Sequence, residues 1–242
     1  MPGRVLVVHQ PAYWPWCGYF SRLLDVDELI LLDHVQFAER GWQHRNNIAD
    51  RDGRSIRLTV PVRRAFGQPL AEVKIAEADL HERHWRTVSE TYRRAPHFQR
   101  YADRLQELYA QPWTYLVDLN EAVTRLILDA LDLDVRLVRT SSAPPSGAKT
   151  AALADLCRRH KAGVLRVGTG ATGYLDAGLL SRAGIGIEVA TYDHVPYGRT
   201  RNRAARLSVL DLLMHEGPRA RTVLEAGART ASFTPEPREV PA

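Results

Sequence analysis

His9 is the residue of this 242-residue chain whose setting most invites chemistry. It follows the apolar run Val5–Val8 directly and opens a stretch, His9-Gln10-Pro11-Ala12-Tyr13-Trp14-Pro15-Trp16, that holds two prolines and three large aromatics and cannot continue a sheet ladder. An imidazole titrating near neutrality can take the proton of an attacking amine. Asp33 stands in the same position behind a second apolar run, Leu29–Leu32. It is suited to orienting His9 or holding a ligand ammonium, with a turn or cap role as the plain alternative. Open α/β folds bind their ligands at strand carboxyl ends, so both clusters are candidates for one cleft.

The loop that follows, Glu39-Arg40-Gly41-Trp42-Gln43-His44-Arg45-Asn46-Asn47, has neither helical nor strand period and is crowded with hydrogen-bonding groups. Arg45 is the preferred anion clamp, since a guanidinium fork fits carboxylate or phosphate. Catalytic work is therefore expected of His9, Asp33 and Arg45. Substrate contacts are expected from Gln10, Tyr13 and Trp16 in the first cluster and from Gln36, Trp42 and Asn46 in the second. A third region, Gly168-Thr169-Gly170-Ala171-Thr172-Gly173, follows an apolar run, with Asp193 twenty residues beyond Gly173. In form it meets a dinucleotide fingerprint, yet it lies late in the chain. The expectation is that Gly168, Gly170, Tyr174 and Asp176 border the first cleft rather than build a separate cofactor site.

Other combinations carry less. His81-Glu82-Arg83-His84 lacks the four-residue histidine spacing of a helical zinc site. Cys17 and Cys157 have no partner motif, and Cys17 is read as packing beside Trp16 more than as a nucleophile. No metal and no cofactor are expected.

Composition sets the frame. Hydrophobic residues make up 45%, enough for a core, and two cysteines imply no disulfide framework. The start, Met-Pro-Gly-Arg, has no signal-peptide pattern, and no apolar run could span a bilayer, so a cytoplasmic protein without a membrane partner is expected. Of 33 basic residues only Lys74, Lys149 and Lys161 are lysines; codon bias accounts for such a skew as readily as anion recognition does. A net charge of +5 favours an anionic small-molecule partner, nucleotide-sugar or activated acyl donor, with aminoacyl-tRNA as a further donor form. No arginine-rich tract or RNA-reading aromatic motif argues for a dedicated nucleic-acid reader.

The elements that must hold these residues read as follows. Strands are expected at Val5–Val8, Leu29–Leu32, Val135–Val138, Val164–Val167 and Ile187–Thr191, and a small edge hairpin at Ser55–Val62 and Ala71–Ile75. Helices are expected at Tyr19–Leu24, Thr150–His160, from the glycine run to Leu180, at Leu207–Met214 and after Gly217. Between His81 and Leu131 the apolar period turns helical, and Pro96 and Pro112 cut the stretch into three. The fold class is α/β: a layered, mostly parallel sheet with a three-helix insertion at about 81–131. The chain reads as one domain over 1–228, with 229–242 a flexible tail.

Taken together, His9-Gln10-Pro11, Tyr13, Pro15-Trp16, Gly18-Tyr19-Phe20, Asp33 with Val35-Gln36-Phe37, Trp42 with Arg45-Asn46 and Thr59-Val60-Pro61-Val62 resemble the WbqC-like proteins of bacterial O-antigen and secondary-metabolite gene clusters. Tyr92 with Ala95-Pro96, Leu119-Asn120, Lys149-Thr150, Gly168–Asp176 and Leu207-Ser208 with Leu210–Leu213 extend the likeness to about residues 4–217. The resemblance implies a glycine (aminoacyl) transferase. Two departures bear on substrate: Arg166-Val167 precedes Gly168 where the family shows Tyr-Leu-Ser, and Gly198-Arg199 follows Tyr197 where glutamine is usual. The leading expectation is a biosynthetic transferase that moves a small aminoacyl or acyl group to an amine of a nucleotide-activated sugar or secondary-metabolite precursor. A nucleotidyltransferase-like adenylylating enzyme or acyl-adenylate ligase is the second reading, with Tyr19 standing where such folds carry the histidine of a Gly-His element. A non-catalytic binding or scaffold protein is the third.

Overall fold

The computed structural model of the protein describes residues 3–50, 52–63, 67–76, 79–198 and 206–233. Arg199 and residues 234–242 of the expected tail lie outside them. The centre is a six-stranded sheet of β1 (Arg4–His9), β2 (Glu28–Leu31), β7 (Arg136–Arg139), β8 (Ala162–Gly168), β9 (Gly186–Tyr192) and β10 (Ala228–Ser232), in the order β10-β9-β8-β1-β2-β7. Every pairing is parallel except β10 on β9. The chain runs outward from β1 through β2 to β7, then returns to the other side of β1 with β8 and β9. That reversal puts the topological switch point between β1 and β8, where open α/β sheets bind ligands.

Period-two alternation explains the two cores. On β1 Leu6 joins one apolar cluster and Val7 the other; on β2 Ile30 sides with Leu6, and Leu29 and Leu31 with Val7. The smaller cluster is covered by α5 (Thr150–Arg159) and α6 (Ala177–Arg182). The larger holds α1 (Cys17–Ser21), α7 (Val209–Glu216), α8 (Ala220–Gly227) and the three inserted helices α2 (Leu80–Tyr92), α3 (Phe98–Ala110) and α4 (Leu116–Ala130). On α2 the buried residues Leu80, His84, Val88 and Tyr92 recur every fourth position, as a one-sided helix requires. None of the described helices is long and apolar enough to cross a membrane.

Three expectations about elements need correction. Arg45–Asn47 are not loop: Arg45–Ala49 form β3, which pairs antiparallel with β4 (Ser55–Thr59) in a two-stranded sheet of its own. The strand expected to reach Val62 breaks after Thr59, and β5 (Val62–Arg63) pairs with β6 (Lys74–Ile75). The glycine run does not open a helix: it gives one 3-10 turn at Thr169–Ala171, and α6 starts only at Ala177, where the Asp176 carboxylate accepts from Leu179 N at 2.9 Å. At the carboxyl end, residues 229–232 lie within β10, where its register runs from Ala228 opposite Tyr192 to Ser232 opposite Glu188.

Candidate functional site at the sheet's switch point

Behind β1 the backbone is held rather than free. Trp14 takes a left-handed φ of 45°, and its carbonyl accepts from Asn46 Nδ2 at 2.6 Å. Tyr13 N donates to Trp42 O at 3.1 Å, and Val209 N to Pro15 O at 2.9 Å. Beneath the loop, Tyr13 Oη lies 2.7 Å from His84 Nδ1 and 3.0 Å from Tyr109 Oη, and Trp14 Nε1 donates to Tyr109 Oη at 2.9 Å. Tyr13 is fully buried, and its hydroxyl serves as a core hydrogen-bonding group. Gly18 makes room for the next ring: a Cβ there would meet the Trp16 indole at 2.3 Å. Strain held in place by surrounding bonds is characteristic of functional loops.

The loop frames two cavities that share His9 and Arg22. One, about 230 Å³, is floored by Val8, Leu165 and Val167 and edged by Gly168, Gly170 and Tyr174. The other, about 270 Å³, is walled by Trp16, Tyr19, Trp42 and Asn46, with Arg206 at its side. The first lies at the carboxyl ends of β1 and β8, and the second lies behind β1 alone.

His9 and Arg22 shape each other. The His9 ring places Nδ1 2.8 Å from Gln10 O, which makes Nδ1 the protonated nitrogen and leaves Nε2 as the lone-pair nitrogen. Burial, and then the Arg22 guanidinium, push its pKa down to about 4 against the weaker pull of the Gln10 carbonyl, so the ring is neutral at neutral pH. Arg22 Nε is buried without a hydrogen-bond partner, and among the described residues no carboxylate pairs with its side chain. Desolvation lowers its pKa, partly offset by the neighbouring Tyr19 and Tyr174 phenol oxygens. A partly buried guanidinium whose Nε lacks a partner is costly unless an anion arrives to satisfy it. Gly168 is part of this arrangement: a Cβ there would meet Arg22 Nη2 at 2.4 Å.

The remaining expected residues divide. Trp16, Trp42 and Asn46 line the second cavity, while Gly168, Gly170 and Tyr174 line the first. Gln10 supports the loop, accepting at Oε1 from Gln43 Nε2 at 2.8 Å. Asp33 is fully buried on the β7 side, its carboxylate accepting from Ser141 N at 2.7 Å and Ser141 Oγ at 2.6 Å. Arg45 donates to Arg40 O at 2.6 Å, and Gln36 lies exposed in a backbone bridge to Pro69; neither borders a cavity with His9. Asp176 is the α6 cap, and Asp193 is exposed, 3.9 Å from Arg229. With the glycines behind β8 rather than β1, and a carboxylate already on the α6 amino terminus, the dinucleotide arrangement lacks both its position and its anion seat. Burial and Asp211 push the Cys17 thiol up to about 12, which removes it as a nucleophile at neutral pH.

Sequence reasoning missed Arg22, Gln43 and Arg206. Arg22 had one usable signal, its place in the short helix directly behind the aromatic loop, but the arginine-rich composition hid it.

Comparison with known proteins adds the following. The model of the WbqC-like protein family matches residues 10–223. Over 223 residues the chain is 31% identical to Rv1507c of Mycobacterium tuberculosis, described as an uncharacterized protein, which spans 90% of this chain and 96% of that relative. No solved structure matches it.

Proposed function

The chain belongs to the WbqC-like protein family, and from that premise we propose that it is a cytoplasmic biosynthetic transferase moving a small aminoacyl or acyl group to an amine of a nucleotide-activated sugar or secondary-metabolite precursor. The observation that carries the reading is the neutral His9 imidazole beside the Arg22 guanidinium, which no carboxylate pairs with among the described residues, at the switch point. Arg22 seats the anionic part of a substrate, the role first expected of Arg45. The amine nitrogen attacks the acyl carbon and forms the new C–N bond, and its proton passes to His9 Nε2. The bond from the acyl carbon to the leaving oxygen then breaks, and that oxygen receives the proton from His9. Anion binding offsets the charge of Arg22, so His9 becomes more basic once the substrate is seated. Asp33 takes no part in the proton transfer, because its carboxylate is taken up by Ser141 and Thr140.

The test begins with thermal-shift titrations of ATP, nucleotide-sugars, glycine and aminoacyl-tRNA, since a ligand stabilises by its concentration relative to its dissociation constant. Amide formation is then assayed with the donor and acceptor that bind. His9→Gln is expected to lower kcat on the order of a hundredfold to ten-thousandfold with its melting temperature near the parent's. Full activity in that variant sinks the assignment. Stabilisation by ATP alone, with release of pyrophosphate, moves the protein to the adenylylating reading.

A further inference from the structure

We propose that the two cavities take one bipartite ligand, a nucleoside diphosphate together with the group it carries. The base lies against Trp16 and Trp42, the phosphates meet Arg22 and Arg206, and the carried group lies in the cavity edged by Gly168 and Gly170. The proposal rests on the crevice being the substrate site and deepens it by assigning base, phosphates and carried group to separate parts of the two cavities.

Five observations lead there. The two cavities share the same two side chains, His9 and Arg22, so an anion on Arg22 stands where they meet. Each, at about 230 and 270 Å³, is smaller than the roughly 300 Å³ at which small-molecule sites begin, and only jointly do they reach that size. Trp42 is 53% exposed, one of three large hydrophobics left to solvent among the described residues, and it lines this cavity beside the half-buried Trp16. An indole kept in water at a cavity mouth offers a face for a planar ring, and stacking there accepts any base. Arg206 adds a second guanidinium to the same wall, which suits two phosphoryl groups better than one carboxylate. The other cavity has an apolar floor and a glycine edge, and it admits a small uncharged group close to the backbone.

The experiment measures dissociation constants of UDP, ADP and inorganic pyrophosphate for the full chain by calorimetry, in the parent, Trp42→Ala and Arg22→Gln. In the parent, both nucleotides are expected to bind at least tenfold more tightly than pyrophosphate. Trp42→Ala is expected to remove about tenfold or more from nucleotide binding, the effect of losing one stacked ring, while leaving pyrophosphate unchanged. Arg22→Gln weakens all three. If Arg22→Gln does not fold, Trp42→Ala still decides, since its half-exposed ring carries little of the core. Equal affinity for nucleotides and pyrophosphate in the parent, equal weakening of both by Trp42→Ala, or no binding of any of them overturns the proposal. Trp42-dependent nucleotide binding without any amide product leaves this inference standing and removes the transferase reading. Amide formation undiminished in Trp42→Ala does the opposite.

Discussion

A base and a cation sharing one cavity wall constrain each other. Burial and Arg22 together hold His9 at about 4, so its free base is fully present at neutral pH, and protonation switches it off only in acid. For the proposed transfer, the acid limb of kcat/KM in the ligand-free protein is therefore expected near pH 4 and not near the ordinary 6.5. Arg22→Gln deletes the positive neighbour; the limb then moves upward but stays below 6.5, because burial, the larger cause, remains. The pH profile of both proteins, measured on whatever residual activity the variant keeps, checks this. A limb that does not move, or a parent limb already at 6.5, means that another group is being titrated. The same scale disposes of the nearest thiol. With Cys17 pushed up to about 12, thiolate is scarce at neutral pH, and activity is expected to survive iodoacetamide.

Asp33 belongs to the scale of elements, because its carboxylate ties the end of β2 to the residues that follow β7. Asp33→Ala leaves the Ser141 amide and hydroxyl without their buried acceptor and is expected to cost on the order of 3 kcal/mol, read from urea unfolding. Activity should fall with the folded fraction; a stable but inactive Asp33→Ala would return Asp33 to the chemistry. This also shows where the sequence was readable. The strands β1, β2, β8 and β9 and the three inserted helices were visible because burial on one or both faces writes apolar period into the chain. Two strands were not. Arg45-Asn46-Asn47 opens β3 with side chains that serve hydrogen bonds rather than a core, and Ala228–Ser232 of β10 is mostly exposed, an edge strand written in polar residues. At the site, His9, Trp16, Trp42 and the glycines announced themselves by chemical type, whereas Arg22 acquires its meaning only when β8 brings Gly168 against it. Tyr13 and Asp33 misled for the converse reason: their types suit a cleft, and the fold spends them on buried partners.

For the whole molecule, the same burial that makes His9 a neutral base makes the fold acid-sensitive. His9 and His84 both stand at about 4 in the folded chain, lowered mainly by desolvation, against 6.5 when exposed. Between those values the unfolded chain binds protons that the folded one does not, so stability is present above pH 6.5 and is lost as pH falls through the window to about 4. Two such groups give a slope approaching about 2.7 kcal/mol per pH unit near the middle of the window. His81 and His194, also lowered by desolvation, add in the same direction. The lowered carboxyls of Glu216, held by Arg219 and the Gly198 amide, and of Asp155, held by the Ser146 amide, keep their contribution until lower pH, below their ordinary 4.5 and 3.8. The window from 6.5 to 4 thus belongs to the imidazoles. Urea midpoints at pH 7, 5.5 and 4.5 should fall steeply, and His84→Gln should remove part of the slope even though it weakens the fold at every pH by taking one of two hydrogen-bond partners from the Tyr13 hydroxyl. Stability that stays flat from pH 7 to 4.5 would mean that both rings reach water, and with it the low acid limb expected for His9 would go.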